Sequence, residues 1–149
     1  MNTKRFISLL VIIVLFPIFT FPQDISVHKM IGKSATSVIQ KYGKPVHQDN
    51  SDPAMICMFY QTQTRRLIFV SNIGGVYQAE ATATFNSKSS ARSELDKFIS
   101  SSIKDGFVSD TVSTDDFSLH KTGVQVDLQF NENKITKKFE VSVKAIKME

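Results

Sequence analysis

From Val76 to Phe85 the side chains alternate without a break: Tyr77, Ala79, Ala81, Ala83 and Phe85 fall on one side, and Gln78, Glu80, Thr82 and Thr84 on the other. A period of two marks an extended strand with one dry and one wet face. The pattern returns twice near the end of the chain. Val124, Val126, Leu128 and Phe130 oppose Gln125, Asp127 and Gln129. Ile135, Phe139, Val141, Val143 and Ala145 oppose Thr136, Lys138, Glu140, Ser142 and Lys144. Segments of this kind imply an antiparallel sheet, and a layer of helix must cover its apolar side.

Two helices are available for that layer. Ser34 is a good N-cap, because its hydroxyl accepts from a backbone N–H that the first turn leaves unpaired. Ala35, Val38, Ile39 and Tyr42 follow at helical spacing, Gly43 suits the left-handed residue after the helix, and Pro45 prevents continuation. The second helix starts near Ser87 to Ser90 and runs to Asp105. Ala91, Leu95, Phe98, Ile99 and Ile103 form its apolar stripe, Arg92, Glu94, Lys97 and Lys104 its wet side, and Gly106 its stop. Ala79, Ala81 and Ala83 are small enough to let a helix lie close over the sheet.

The remaining strands are shorter. Ala54 to Tyr60 is apolar on both sides, as a central buried strand would be, and Arg66 to Ser71 is a second apolar run ending in the turn Asn72-Ile73-Gly74-Gly75. Val108 to Thr114 has strand character. Phe117 to Lys121 joins Val124 to Asn131 across Thr122-Gly123, and Glu132-Asn133-Lys134 turns into the last strand. His47 to Pro53 reads as a polar loop. The expected class is α+β: an antiparallel sheet with two helices on one face, in the order α-βββ-α-βββ. The halves echo each other, since Val70 and Phe130 are 60 residues apart and Val76 and Ile135 are 59 apart, which suggests a pseudo-repeat.

The start of the chain has a separate purpose. Lys4 and Arg5 precede an apolar run from Phe6 to Phe19 that Pro17 interrupts. This is the pattern of a secretory signal or short N-terminal anchor over residues 1–22, leaving residues 23–149 as one domain. The expected location is therefore periplasmic or extracellular, with membrane contact only through an uncleaved N-terminal segment. A single cysteine, Cys57, allows no intramolecular disulfide. The chain carries +4, and without Lys4 and Arg5 it has 16 basic and 14 acidic residues. A balance near +2 gives no nucleic-acid signature.

The segment Gly32-Lys33-Ser34-Ala35-Thr36-Ser37-Val38-Ile39-Gln40-Lys41-Tyr42-Gly43-Lys44-Pro45 resembles the opening helix of BamE/SmpA-type envelope proteins, whose fold is shared with β-lactamase-inhibitor-protein-like domains. The doubled element order is similar to the inhibitor-like proteins. The resemblance implies a protein-binding role in the cell envelope, through the sheet or its loops.

No residue pattern points to catalysis, a cofactor or a metal. Gly32-Lys33-Ser34 lacks the earlier glycine of a phosphate-binding loop, having Val27 in its place. His47, Asp49, Asn50 and Asp52 hold oxygen and imidazole donors but lack the calcium-loop order, so an Asx-rich turn is the expectation. His28, His47 and His120 are far apart in sequence, and Cys57 between Ile56 and Met58 reads as a buried, inert thiol. Asp115 and Asp116 point to opposite sides of an extended segment. Ser100, Ser101 and Ser102 read as a plain helix face. The best candidate binding surface is the polar sheet face formed by Gln125, Asp127, Gln129, Lys138, Glu140, Ser142 and Lys144. The expected function is a non-enzymatic exported module that binds an envelope or secreted protein through that face. The alternative is a small-ligand or lipid-binding domain with a pocket between the second helix and the sheet.

Overall fold

The structure is a computed structural model that describes residues 24–149, so the signal or anchor read over residues 1–22 lies outside the described residues. After a 3-10 turn at Val27–Met30 come α1 (Ala35–Tyr42), β1 (His47–Asp49), β2 (Ile56–Gln61), β3 (Arg65–Asn72) and β4 (Gly75–Phe85). Then follow α2 (Lys88–Lys104), β5 (Val108–Thr111), β6 (Asp116–Lys121), β7 (Val124–Asn133) and β8 (Lys138–Lys147). The strands form one eight-stranded antiparallel sheet in the order β1-β2-β3-β4-β8-β7-β6-β5. The α+β class with two helices and an antiparallel sheet is what the alternation implied. The strand count is larger than the expected order gave. His47–Asp49, expected as loop, pairs with Phe59, Met58 and Cys57 as a short edge strand, and Val108–Thr111 pairs with β6 at the other edge.

Both helices end where their punctuation says. Ser34 Oγ accepts from Ser37 N at 3.1 Å and Ser87 Oγ from Ser90 N at 3.2 Å, while Gly43 and Gly106 take positive φ at the far ends. In α2, Ala91, Leu95, Phe98 and Ser102 face inward, and Ile103, expected in the stripe, is exposed. Position 102 continues the 91–95–98 line at 3.6 residues per turn, whereas 103 has rotated a further 100° away from it.

One face of the sheet carries the core. Register aligns Leu67 and Phe69 of β3 with Ala81 and Ala79 of β4, then Val143 and Ala145 of β8, then Leu128 and Val126 of β7. All are buried, and α2 packs against β4, β7 and β8 on this side. α1 covers the same side farther along, where the Tyr42 ring lies 5.1 Å from Phe69. Burying one large aliphatic or aromatic side chain stabilises by about 1.5–3 kcal/mol, so this face supplies most of the driving force.

A segment that the patterning did not single out completes the core. Ile25, Val27, His28 and Met30 are buried beside α2, β4 and β8. The strap is fastened by Gly32 N donating to Val76 O and Val76 N donating to Lys33 O, both at 2.8 Å. This close approach explains Gly75, which has φ +98°; a Cβ there would lie 2.8 Å from the Gly32 carbonyl oxygen.

The β7–β8 turn is longer than expected. Asn133 Oδ1 accepts from the backbone of Ile135 and Thr136, Lys137 takes φ 57°, and Lys138 opens β8 opposite Asn133. Ile135 is therefore a turn residue, fully in solvent, and not the first apolar residue of the strand.

Candidate functional site

Among the described residues no helix lies over the second face of the sheet, and its side chains line up in rows set by the strand register. One row runs Asp110, Ser118, Asp127, Lys144, Glu80, Ile68, Phe59 and His47 from β5 to β1. Its neighbours are His120, Gln125, Ile146, Gln78, Val70, Cys57 and Asp49 on one side, and Asp116, Gln129, Ser142, Thr82, Arg66 and Gln61 on the other. Gln125, Asp127, Gln129, Glu140, Ser142 and Lys144 thus share one face, as their alternation implied. Lys138 joins them at the end of β8, paired with Asn133.

Charge on this face is ordered. Lys144 stands between Asp127 on β7 and Glu80 on β4 without an ion pair to either among the described residues. The carboxylates hold neutral partners instead: Gln78 Nε2 donates to Glu80 at 2.9 Å, and Gln125 Nε2 and Ser118 Oγ donate to Asp127 at 3.3 and 3.4 Å. Such cross-strand neighbours contribute a few tenths of a kcal/mol each and fix side-chain positions more than they stabilise the sheet.

The face has a grain. Toward β1 it is apolar, with Cys57, Phe59, Ile68 and Val70, and His47 lies 5.6 Å from the Phe59 ring. Cys57 was expected to be buried in a central strand; it is half-exposed on this open face, because β2 is next to the edge. Partial burial, and then the charge of Asp49 across the strand pair, push its thiol pKa up.

No family model matches the chain, and no curated protein matches it. Solved structures similar to the chain include the following two. One is an extracellular protein containing a SCP domain from Bacillus anthracis, at 15% identity and a TM-score of 0.47 over 81% of this chain and 45% of that one. The other is a cysteine-rich secretory protein from Staphylococcus aureus, at 11% identity and a TM-score of 0.46 over 85% of this chain and 46% of that one. The chain spans less than half the length of either. The expected likeness to BamE/SmpA-type proteins is corrected by these findings, since the similar structures are extracellular proteins of another kind. The residues that suggested it have local tasks: Ser34 caps, Gly43 stops the helix, and Gly32 bonds to β4. Any short helix docked on a sheet needs such punctuation.

The other sequence candidates are dispersed. His28 is buried under α2, His47 lies on β1 and His120 on β6, far across the sheet. Asp49 accepts from Ser51 N and Asp52 from Ala54 N, so the polar segment after β1 is spent on Asx turns. Asp115 pairs with Arg92 of α2, whereas Asp116 accepts from Ser113 Oγ at 2.7 Å. Ser102, expected on a plain helix face, is buried with its Oγ 3.5 Å from His28 Nε2. The His28 ring meets Phe98 and Phe107 edge-on, its Nδ1 has no hydrogen-bond partner among the described residues, and burial lowers its pKa to about 4.

One feature of the open face does not stand out in the sequence pattern. Arg66 was absorbed into an apolar run, yet it projects onto the open face beside Gln61 and Thr82. It lines a cleft of about 320 Å³ together with Thr84 and Glu140, residues from three different strands. The alternation of β3 places Arg66 opposite in phase to Leu67 and Phe69, which is the signal that could have found it.

Proposed function

We propose that the protein is a non-enzymatic, exported binding module that engages an envelope or secreted protein through its open sheet face. The observation that carries this reading is the asymmetry of the sheet. One face is sealed by α1, α2 and the strap; the other presents an uncovered, register-ordered surface centred on Lys144, Glu80, Asp127 and Ser142. Eight strands hold those side chains in fixed rows, so a partner meets a preorganised surface with little ordering left to do. At the apolar end the half-buried Phe59 and Ile68 add area that gains from being covered.

The packing supports this reading over a ligand pocket beneath α2. Ala79, Ala81 and Ala83 belong to one buried cluster with Ala91, Leu95 and Phe98, so the helix fills the space the small residues leave. The mirror order of the strands about β4 and β8, with a helix ahead of each set of four, supports reading the two halves as a pseudo-repeat. Export rests on the N-terminal pattern of Lys4, Arg5 and the Phe6 to Phe19 run.

The test is crosslinking of the protein in envelope extract, with Lys138→Glu/Lys144→Glu as the face variant and Lys97→Glu on α2 as the control for the covered side. A partner lost in the first variant and kept in the second is the expected result. A partner equally retained by both moves the site off the sheet face, and the absence of any saturable partner overturns the reading.

A further inference from the structure

At the end of the open face nearest the β2–β3 hairpin, the cleft of about 320 Å³ is lined by Gln63, Thr64, Arg66, Thr82, Thr84 and Glu140, with Arg65 at its wall. Its rim is fixed by backbone bonds. Thr62 N donates to Arg65 O at 2.8 Å, Arg65 N to Thr62 Oγ1 at 3.0 Å, and Thr84 N to Thr64 O at 2.8 Å. Arg65 is committed elsewhere, its guanidinium 3.7 Å from Glu94 of α2. That leaves one cation and one anion, Arg66 and Glu140, with no ion pair or side-chain hydrogen bond to any described residue. They stand on β3 and β8 with β4 between them, and the hydroxyls of Thr82 and Thr84 lie on that middle strand. Strands are about 4.8 Å apart, so the two backbones are separated by about 10 Å; Arg66 is opposite Thr82 and Glu140 opposite Thr84, two residues farther along β4, and both charged residues line the cleft.

We propose that this cleft binds a small zwitterion of amino-acid type, with its carboxylate on Arg66 and its ammonium on Glu140, a chemistry shared by free amino acids and short peptides. The inference rests on the sheet face being a binding face and names the chemistry taken at one end of it. Guanidinium offers a planar fork that matches a carboxylate, and a carboxylate is acceptor-only and suits an ammonium. The hydroxyls between them serve the amide or side-chain atoms in the middle of the ligand. The volume lies at the small end of ligand sites, which suits a molecule of one or two residues. A ligand with one charge only would leave the opposite group unpaired. Lys144 lies four residues beyond Glu140 along β8, about 13 Å away, so it belongs to a separate part of the face.

The experiment is a titration of the full chain, followed by amide ¹H–¹⁵N shifts, with alanine, dialanine, N-acetyl-dialanine and dialanine amide. The expected result is saturable movement of the Arg66, Thr82 and Thr84 amides, with affinity falling about tenfold or more when either terminus is blocked, as loss of a charge-assisted bond implies. Arg66→Gln then erases the preference for the free carboxylate, and Glu140→Gln the preference for the free ammonium. Tighter binding of alanine or of dialanine tells a free amino acid from a peptide. No saturable movement, or binding indifferent to both blocking groups, overturns the proposal. Lys144→Glu, on the separate part of the face, leaves this titration unchanged, so a failed titration with partner capture that Lys144→Glu abolishes rejects the cleft alone, and the reverse outcome rejects the wider reading alone.

Discussion

The two halves of the sheet carry the same succession of elements but fill their core differently. Ahead of β1–β4 stands α1, only eight residues long, which buries Val38 and Tyr42. Ahead of β5–β8 stands α2, with 17 residues and the inward line Ala91, Leu95, Phe98 and Ser102. Where the helix is short, large rings occupy the space: Tyr42, Tyr60 and Phe69 lie with centroids 5.1 to 5.9 Å apart. Where the helix is long, the strands beneath it are rich in small residues, with Ala79, Ala81 and Ala83 on β4 and Ala145 with valines on β8, beside Leu128 and Phe130 of β7. Helix length and side-chain volume compensate each other, as close packing requires. The open face differs in the opposite sense: apolar over β2 and β3, polar over β7 and β8.

The comparison breaks most sharply in the core. Phe69→Ala empties the aromatic side and is expected to cost about 3–5 kcal/mol, because α1 is too short to settle into the cavity. Leu95→Ala on the other side is expected to cost about 2–4 kcal/mol, the alanine-rich sheet letting α2 sink partway. Chemical denaturation of both variants checks this; a larger loss for Leu95→Ala would mean that volume is not exchanged for helix length.

A second effect distinguishes the strap that bridges the two halves. His28 is buried with no hydrogen-bond partner for Nδ1 among the described residues, and its pKa is lowered from 6.5 to about 4, chiefly by burial and next by Lys29. Asp24 and Asp105 act the other way, and Lys41 with Lys29. Between pH 6.5 and 4 the unfolded chain binds a proton that the folded chain refuses, so stability is full above 6.5 and falls as pH drops toward 4. The loss is expected to reach about 2–3 kcal/mol. Thermal melts across that window check it, and His28→Leu should flatten this part of the profile; an unchanged slope in that variant would assign the loss to carboxylates.

Much of the secondary structure was legible in the sequence. Period-two alternation located β4, β7 and most of β8, and serine caps with glycine stops bounded both helices to within a residue or two. What failed did so for physical reasons. β1 is three polar residues, His47–Asp49, paired on one side only, so burial left no pattern to read. Ile135 alternates in phase with β8 but sits in a turn closed by Asn133, because hydrophobicity does not report a turn's length. The strap has no helical or strand period: Ile25, Val27, His28 and Met30 are buried by what lies across from them. The Gln125, Asp127, Gln129, Glu140, Ser142 and Lys144 face was readable because one strand's alternation fixes it. The cleft was not, since Arg66 and Glu140 meet only through the order of β3, β4 and β8.

A smaller effect sharpens the contrast between the helices. Ser34→Ala and Ser87→Ala each remove one cap bond, worth about 1 kcal/mol. In α1 the loss falls on two turns of helix, below the length that holds together without packing. Amide exchange over Val38 to Tyr42 should accelerate in Ser34→Ala, whereas Ser87→Ala should speed exchange only in the first turn of α2. Equal propagation in both helices would show that tertiary contacts, rather than length, set local stability.

The smallest effect on stability falls on the open face. Lys144→Gln removes the only charge between Asp127 and Glu80 in their row, and both carboxylates keep their amide and hydroxyl partners. Exposed charges contribute within about 1 kcal/mol, so the melting midpoint should barely move. If the face is a binding surface, Lys144→Gln should nevertheless weaken partner capture, while Lys97→Gln on α2, equally neutral for stability, should not. That pairing separates the two faces by function where stability cannot. A face kept ordered only to hold the sheet together would show no difference between the two substitutions.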